Sequence, residues 1–148
     1  MLKHPNSNTD FVPTPGYLVG GFSIYDREES LGEELNKFDP NVFSDLQQLT
    51  EKYFCRTSMV RSWSVHHKVF FLEMLANALQ DSNYDFARII EDDHDECFYM
   101  PSGWQIDDVR LTFVRMYGIL LVEWRDELAS INFVPTPVSN LGSRITGS

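Results

Sequence analysis

Apolar residues recur at helical spacing over three long stretches of the chain, and most of its prolines, glycines and carboxylates lie outside those stretches. In the first, Val42, Leu46, Leu49 and Tyr53 follow one another at steps of four, three and four, and Phe43 and Phe54 widen the stripe. That period predicts an amphipathic helix from 40 to about 55. Asp39 can cap its free amides, and Pro40 suits the first helical position, where a missing N–H costs nothing. In the second, Val65, Val69, Leu72, Leu75 and Leu79 repeat at the same spacing behind Ser62 or Ser64 as cap. Phe70, Phe71 and Met74 enlarge its apolar surface, so this helix, ending near 80, is expected to be buried on more than one side.

The third stretch admits two readings. Ile106, Val109, Phe113, Tyr117, Leu120, Trp124 and Leu128 fall at steps of three, four, four, three, four and four. Ser102-Gly103-Trp104-Gln105, just upstream, has the sequence of a capping box. Against this, Val109, Leu111 and Phe113 alternate with Arg110 and Thr112 as strand residues would, and Gly118 interrupts the run. A glycine inside a helix costs about 1 kcal/mol relative to alanine. Cap and seam together favour a helix over 106–128, with two or three strands over 106–124 as the alternative.

Between the helices the pattern is weaker. Residues 17–25 alternate loosely through Tyr17, Val19, Phe22 and Ile24, with Gly20-Gly21 as a break; they predict a strand or a bent strand pair. Asp26 to Lys37 reads as a solvated loop or a short polar helix. Ser82-Asn83-Tyr84-Asp85 resembles a capping box with Asp in place of Glu, and predicts a short third helix with Phe86, Ile89 and Ile90 facing inward. Cys97 to Met100 and residues 130–134 are candidate short strands. Segments 1–16 and 135–148 read as extended or frayed arms. They share a near-repeat, Phe11-Val12-Pro13-Thr14-Pro15 and Phe133-Val134-Pro135-Thr136-Pro137. Two copies do not make a solenoid, and paired extended arms are the simplest interpretation. The expected fold is one α+β domain over 1–148, mainly helical, with three or four helices and a small sheet from the N-terminal strand and C-terminal segments.

Charge sharpens the picture. Ten of the twenty-two acidic residues fall between Glu73 and Asp108, against the single base Arg88. That window therefore holds nine net negative charges of the chain's ten. It contains the run Glu91-Asp92-Asp93-His94-Asp95-Glu96 and the pair Asp107-Asp108. Dense negative charge repels itself and invites a basic partner. A nucleic-acid binder would carry a basic stripe instead, so DNA, RNA and anionic lipid are not expected ligands. With 43% hydrophobic residues and 11 Phe, the chain has too much apolar mass for a disordered acidic protein.

Candidate chemistry is sparse. Cys55 and Cys97 are the only cysteines and form no CxxC pair; they are expected to be reduced thiols. Cys55, near a helix C-terminus, is in a position that raises its pKa. The polar first ten residues are not followed by an apolar h-region, and the longest apolar run, Met116 to Val122, is far below the ~20 residues that span a bilayer. The expected compartment is the cytoplasm. Asp93, Asp95 and Glu96 with His94 could offer oxygen and nitrogen to a cation, but the glycine and glutamate of an EF-hand loop are missing. His66 and His67, adjacent on a helix, point apart; one is expected exposed and one packed. Neither Gly-x-Ser-x-Gly nor a phosphate-binding glycine loop occurs.

These observations point to a small acidic binding protein rather than an enzyme. It would neutralise or chaperone a basic protein partner, such as a nuclease-type toxin or secreted effector, in the manner of an immunity protein or antitoxin. No cofactor or metal is expected. The expected contact residues are Glu91, Asp92, Asp93, Asp95, Glu96, Trp104, Asp107 and Asp108. Trp104 is either a contact for a cationic side chain or a residue packing inward. Two alternatives are a metal-dependent hydrolase built on the His94 carboxylate cluster and a homodimer packed through 106–128.

Overall fold

Leu18, Val19 and Phe22 all turn inward when the chain folds, a spacing that a helical turn satisfies and a strand does not. The computed structural model describes residues 2–145. In it, 17–25 is not a strand: it forms two 3-10 turns, Pro15–Leu18 and Gly20–Phe22, and then an extended segment. At Gly21 a Cβ atom would lie 2.3 Å from the carbonyl oxygen of Tyr53. The glycine therefore marks a close backbone approach between this segment and a helix, not a bulge in a sheet.

The polar segment that follows coils into a π-helical turn, Glu28–Gly32, and a one-turn helix, α1 (Glu33–Leu35). Helix α2 (Phe43–Thr50) runs on through a second π turn, Glu51–Cys55. It starts three residues after Pro40 because carboxylates hold Asp39–Val42 as a turn. Asp39 Oδ1 accepts the Asn41 N–H at 2.9 Å, and Asp45 Oδ2 accepts the Asp39 N–H at 2.9 Å. Leu46, Leu49 and Phe54 face the core, whereas Val42 and Phe43, at the helix start, stay 46% and 51% exposed.

Thr57 caps the short α3 (Ser58–Arg61), its side chain accepting the Val60 N–H. Ser64 caps α4 (Val65–Gln80) in a capping box whose return partner is His67 in place of the usual Glu or Gln. His67 Nδ1 lies 3.2 Å from the Ser64 N–H donor and Nε2 2.6 Å from the Lys3 carbonyl. The amide only donates and the carbonyl only accepts, so the ring carries its proton on Nε2. His67 is buried and His66 exposed, matching the expectation for the pair.

The third apolar stretch is helical, as α5 (Val109–Glu123) and α6 (Arg125–Ser130). Phe113, Tyr117, Leu120, Trp124 and Leu128 are buried along one seam that continues through the bend at Trp124. The helix opens at Asp108, whose carboxylate accepts the Leu111 N–H at 3.0 Å; the Ser102 box instead falls in a turn closed by the Trp104 N–H on Pro101 O. Gly118 faces α7 (Val138–Ile145), where a Cβ would make an ordinary contact with Val138 Cγ2 at 3.4 Å. Helix α5 packs against α2, α4, α6 and α7, and α4 against α5, α6, α7 and the Pro15–Leu18 turn. Phe54, Trp63, Phe71 and Trp124 form an aromatic cluster between them, with ring centroids 5.3–6.4 Å apart.

No strand occurs among the described residues, so the α+β expectation is corrected to an all-helical fold. Strand-type pairing is limited to two isolated bridges, Lys3–Asp10 and Asp93–Phe98. Cys97, at φ 55°, turns the chain back too tightly for Cys97–Met100 to extend a ladder. Residues 130–134 end α6: Asn132 adopts φ 58°, its N–H reaches Ala129 O, and the Phe133 N–H reaches Leu128 O. That pair of bonds is a Schellman cap with asparagine in the left-handed position. The Ser82 box does not start a helix either. Asp81 Oδ1 accepts the Asn83 N–H in a turn, and Asp85 Oδ1 accepts the Arg88 N–H at the start of a later 3-10 turn, Ala87–Ile90.

Both copies of the near-repeat are extended and both lead into a helical turn opened by proline. Pro15 begins Pro15–Leu18, and Pro137 directly precedes α7. Phe11 is fully buried, edge-on to Trp63 and His67 at 5.2 and 4.9 Å. The second copy is held by the Tyr117 hydroxyl, which donates to Thr136 O at 2.8 Å. Among the described residues no backbone hydrogen bond joins the two copies, and 146–148 of the C-terminal arm lie outside the described residues. No described helix is long and apolar enough to cross a membrane.

Candidate partner-binding surface

Backbone amides in the acidic window need acceptors, and its carboxylates supply them. Asp93 Oδ1 accepts the N–H groups of Asp95 and Glu96 at 3.1 and 3.3 Å. The Asp93 and Phe98 backbones exchange bonds of 2.8 and 2.9 Å, closing residues 93–98 as a tight turn. Asp92 Oδ1 accepts the Met100 N–H at 3.0 Å. The turn is moored to the N-terminal segment: the Ile24 N–H donates to Tyr99 O at 2.7 Å, and the Tyr99 N–H to Ser23 Oγ at 3.2 Å. His94 Nδ1 lies 2.9 Å from the Tyr99 hydroxyl. The side-chain bonds fix Asp92, Asp93 and His94 while those residues stay on the surface, and Glu91 through Cys97 are all exposed.

The carboxylates of this surface outnumber the neighbouring bases, Arg88 among them, and form no ion pair among the described residues. The ion pairs among the described residues are Lys3–Asp10, Lys52–Glu34, Lys68–Glu127 and Arg125–Asp126. None involves a carboxylate from 73–108. Arg110 is close at hand but is spent on carbonyls: it donates to Leu79, Asp81 and Tyr84 at 3.0, 3.1 and 2.5 Å, with its guanidinium 4.8 Å from the Phe86 ring centroid.

Four grooves adjoin one another here and share lining residues. One, of about 270 Å³, holds Asp85, Arg88, Glu91, Asp92 and Asp93. Asp85 also lines a cleft of about 730 Å³ with Asp107, Asp108 and Arg110. Asp92 also lines a groove of about 300 Å³ with Trp104. Trp104 and Asp107 line a fourth, of about 430 Å³, with Asp39 and Asp45. Asp85, Asp92, Trp104 and Asp107 are thus the corners of one continuous face. Of the sequence-derived contact residues, Asp95 and Glu96 sit at the turn tip outside these grooves; the other six line them.

Asp39, Asp45 and Asp85 were not expected on this face. Sequence marks Asp39 and Asp85 only as helix-start residues. Asn41 brings the first two beside Asp107: its Nδ2 donates to Gln105 O at 2.6 Å, and its Oδ1 accepts the Asp107 N–H at 3.0 Å. Of the two readings of Trp104, the inward-packing one is seen. Its indole N–H donates inward to Leu35 O at 2.8 Å and its ring meets Phe22 edge-on at 5.2 Å, while the residue stays half-buried at the groove wall.

Other candidate chemistry lies away from this face or does not converge. Among the described residues no three His, Cys, Asp or Glu side chains are placed to hold a metal ion together. Burial, then the charges of Glu123 and Glu51, push the Cys55 thiol up to about 12, so it is not an activated nucleophile. No protein-family model matches the chain, and no curated protein or solved structure matches it.

Proposed function

We propose that this is a small acidic cytoplasmic binding protein that neutralises or escorts a basic protein partner, as immunity proteins and antitoxins do. The observation that carries the reading is that six of the ten window carboxylates line adjoining grooves with no ion pair among the described residues. Carboxylates retained at this density without ion pairs weaken a fold, and a cationic surface is the partner that would relieve them. Their field would steer such a surface into register, raising the association rate more than the final affinity. The helices beneath would serve as a rigid backing, with Asp92 and Asp93 held by backbone amides.

The test is affinity capture from the native cell, with a variant carrying E91Q, D92N, D93N, D95N and E96Q as control. The expected captive is a basic protein lost with the variant, and its association rate should fall at least about tenfold between low and physiological salt. A captive retained equally by the variant, or one that associates as fast in high salt, would refute the reading.

A further inference from the structure

We propose that the groove between Asp92 and Trp104 is a receptor for a single arginine side chain of the partner. This rests on the reading above and makes it specific. The walls are Ile90, Met100, Pro101, Trp104 and Ile106, and the carboxylate of Asp92 stands among them; the volume is about 300 Å³. An arginine side chain is an apolar stem ending in a planar cation, so a mixed groove, with apolar side chains beside one carboxylate and other polar surface, can take both parts of it. The indole face of Trp104 adds attraction for the guanidinium.

Both recognition groups are set before any ligand arrives. The Met100 N–H holds Asp92 Oδ1, and Leu35 O holds the Trp104 indole. A fixed site loses less entropy on binding than one that must order itself. Asp85, Glu91 and Asp93 line the next groove, joined at Asp92; they outnumber its one base, Arg88, so the net field there draws a cation toward it. The remaining polar wall residue, Ser102, is uncharged and offers no competing cation.

Trp63 and Trp124 are buried, so Trp104 is the tryptophan whose emission a surface ligand can change. Titration with a tri-arginine peptide, followed by that emission and by calorimetry, should give saturable binding that weakens with salt. Asp92→Asn, whose amide oxygen can still accept the Met100 N–H, should weaken it about tenfold and abolish the emission change, as loss of one charge-assisted bond implies. Asp95→Asn, the same charge change outside the groove, should weaken it less than twofold. If D92N and D95N weaken binding equally and Trp104 stays silent, the groove is not the receptor, although the wider electrostatic reading stands. If the wild-type protein binds no cationic peptide even at low salt, both fall.

Discussion

At the residue scale, two neighbouring glycines make opposite demands. A Cβ on Gly21 would press to 2.3 Å on the Tyr53 carbonyl, part of a helix backbone that cannot yield, whereas one on Gly20 would meet nothing within 4 Å. Gly21→Ala should therefore destabilise the fold by about 2 kcal/mol or more, as overpacking does, while Gly20→Ala should stay within about 0.5 kcal/mol. Urea unfolding of the pair would decide it, and equal midpoints would mean that the close approach has no energetic weight. Two buried acids make a second prediction. Burial pushes Cys55 from 9.0, and Tyr117 from 10.0, up to about 12. Above about pH 9 the unfolded chain sheds a thiol proton that the native protein keeps, so native stability must fall as pH rises; above 10 the phenol adds to the slope. Cys55→Ala should flatten the fall that begins near pH 9, and Tyr117→Phe the part beginning near 10. Slopes indistinguishable from wild type would show that neither group is linked to unfolding.

At the element scale, Asp107 and Asp108 are adjacent and equally charged but do different work. Asp108 caps α5 with its carboxylate, whereas Asp107 is held through its backbone N–H by Asn41. Asp108→Ala should cost about 1 kcal/mol, and Asp107→Ala should leave the thermal midpoint close to wild type; equal losses would remove the cap from the account of how α5 starts. The comparison also shows what was legible in the sequence. The seam from Phe113 to Leu128 was readable because burial on one helix face imposes its own period. Where the helix began was not: Ser102 and Asp108 both carry the chemistry of a cap, and the choice fell to Asn41, more than sixty residues away in sequence, which grips 105–107 from the start of α2. The expected strands failed for local reasons. Asn132 and Cys97 turn the chain at positive φ, and Leu18, Val19 and Phe22 bury as a turn. The acidic face was legible as a count of charges, but its full membership was not, because Asp39 and Asp45 come beside Asp107 only when distant segments fold.

At the scale of the whole molecule, the same charges that suit a cationic partner act against the isolated fold. The core is that of an ordinary helical protein, with Phe11, Phe54, Phe71, Phe113 and Tyr117 almost wholly buried. The acidic face and its turn tip oppose it with eight of the ten carboxylates from 73–108, none of them in the ion pairs of the described residues; Glu73 and Asp81 line none of its grooves. Repulsion among exposed charges is screened over about 8 Å at 0.15 M salt, roughly the reach between neighbouring carboxylates on one turn. Sodium chloride at neutral pH should therefore raise the thermal midpoint, most steeply at low concentration. The triple variant E91Q, D95N, E96Q, which spares Asp92, Asp93 and their backbone bonds, should melt higher than wild type in low salt and respond less to added salt. A basic partner should act as salt does, but more strongly, because it binds only the native face and stabilises it by mass action. If the midpoint is flat in salt and the triple variant melts no higher, the carboxylates are already well solvated, and the pressure toward a cationic partner that their crowding implies is not there.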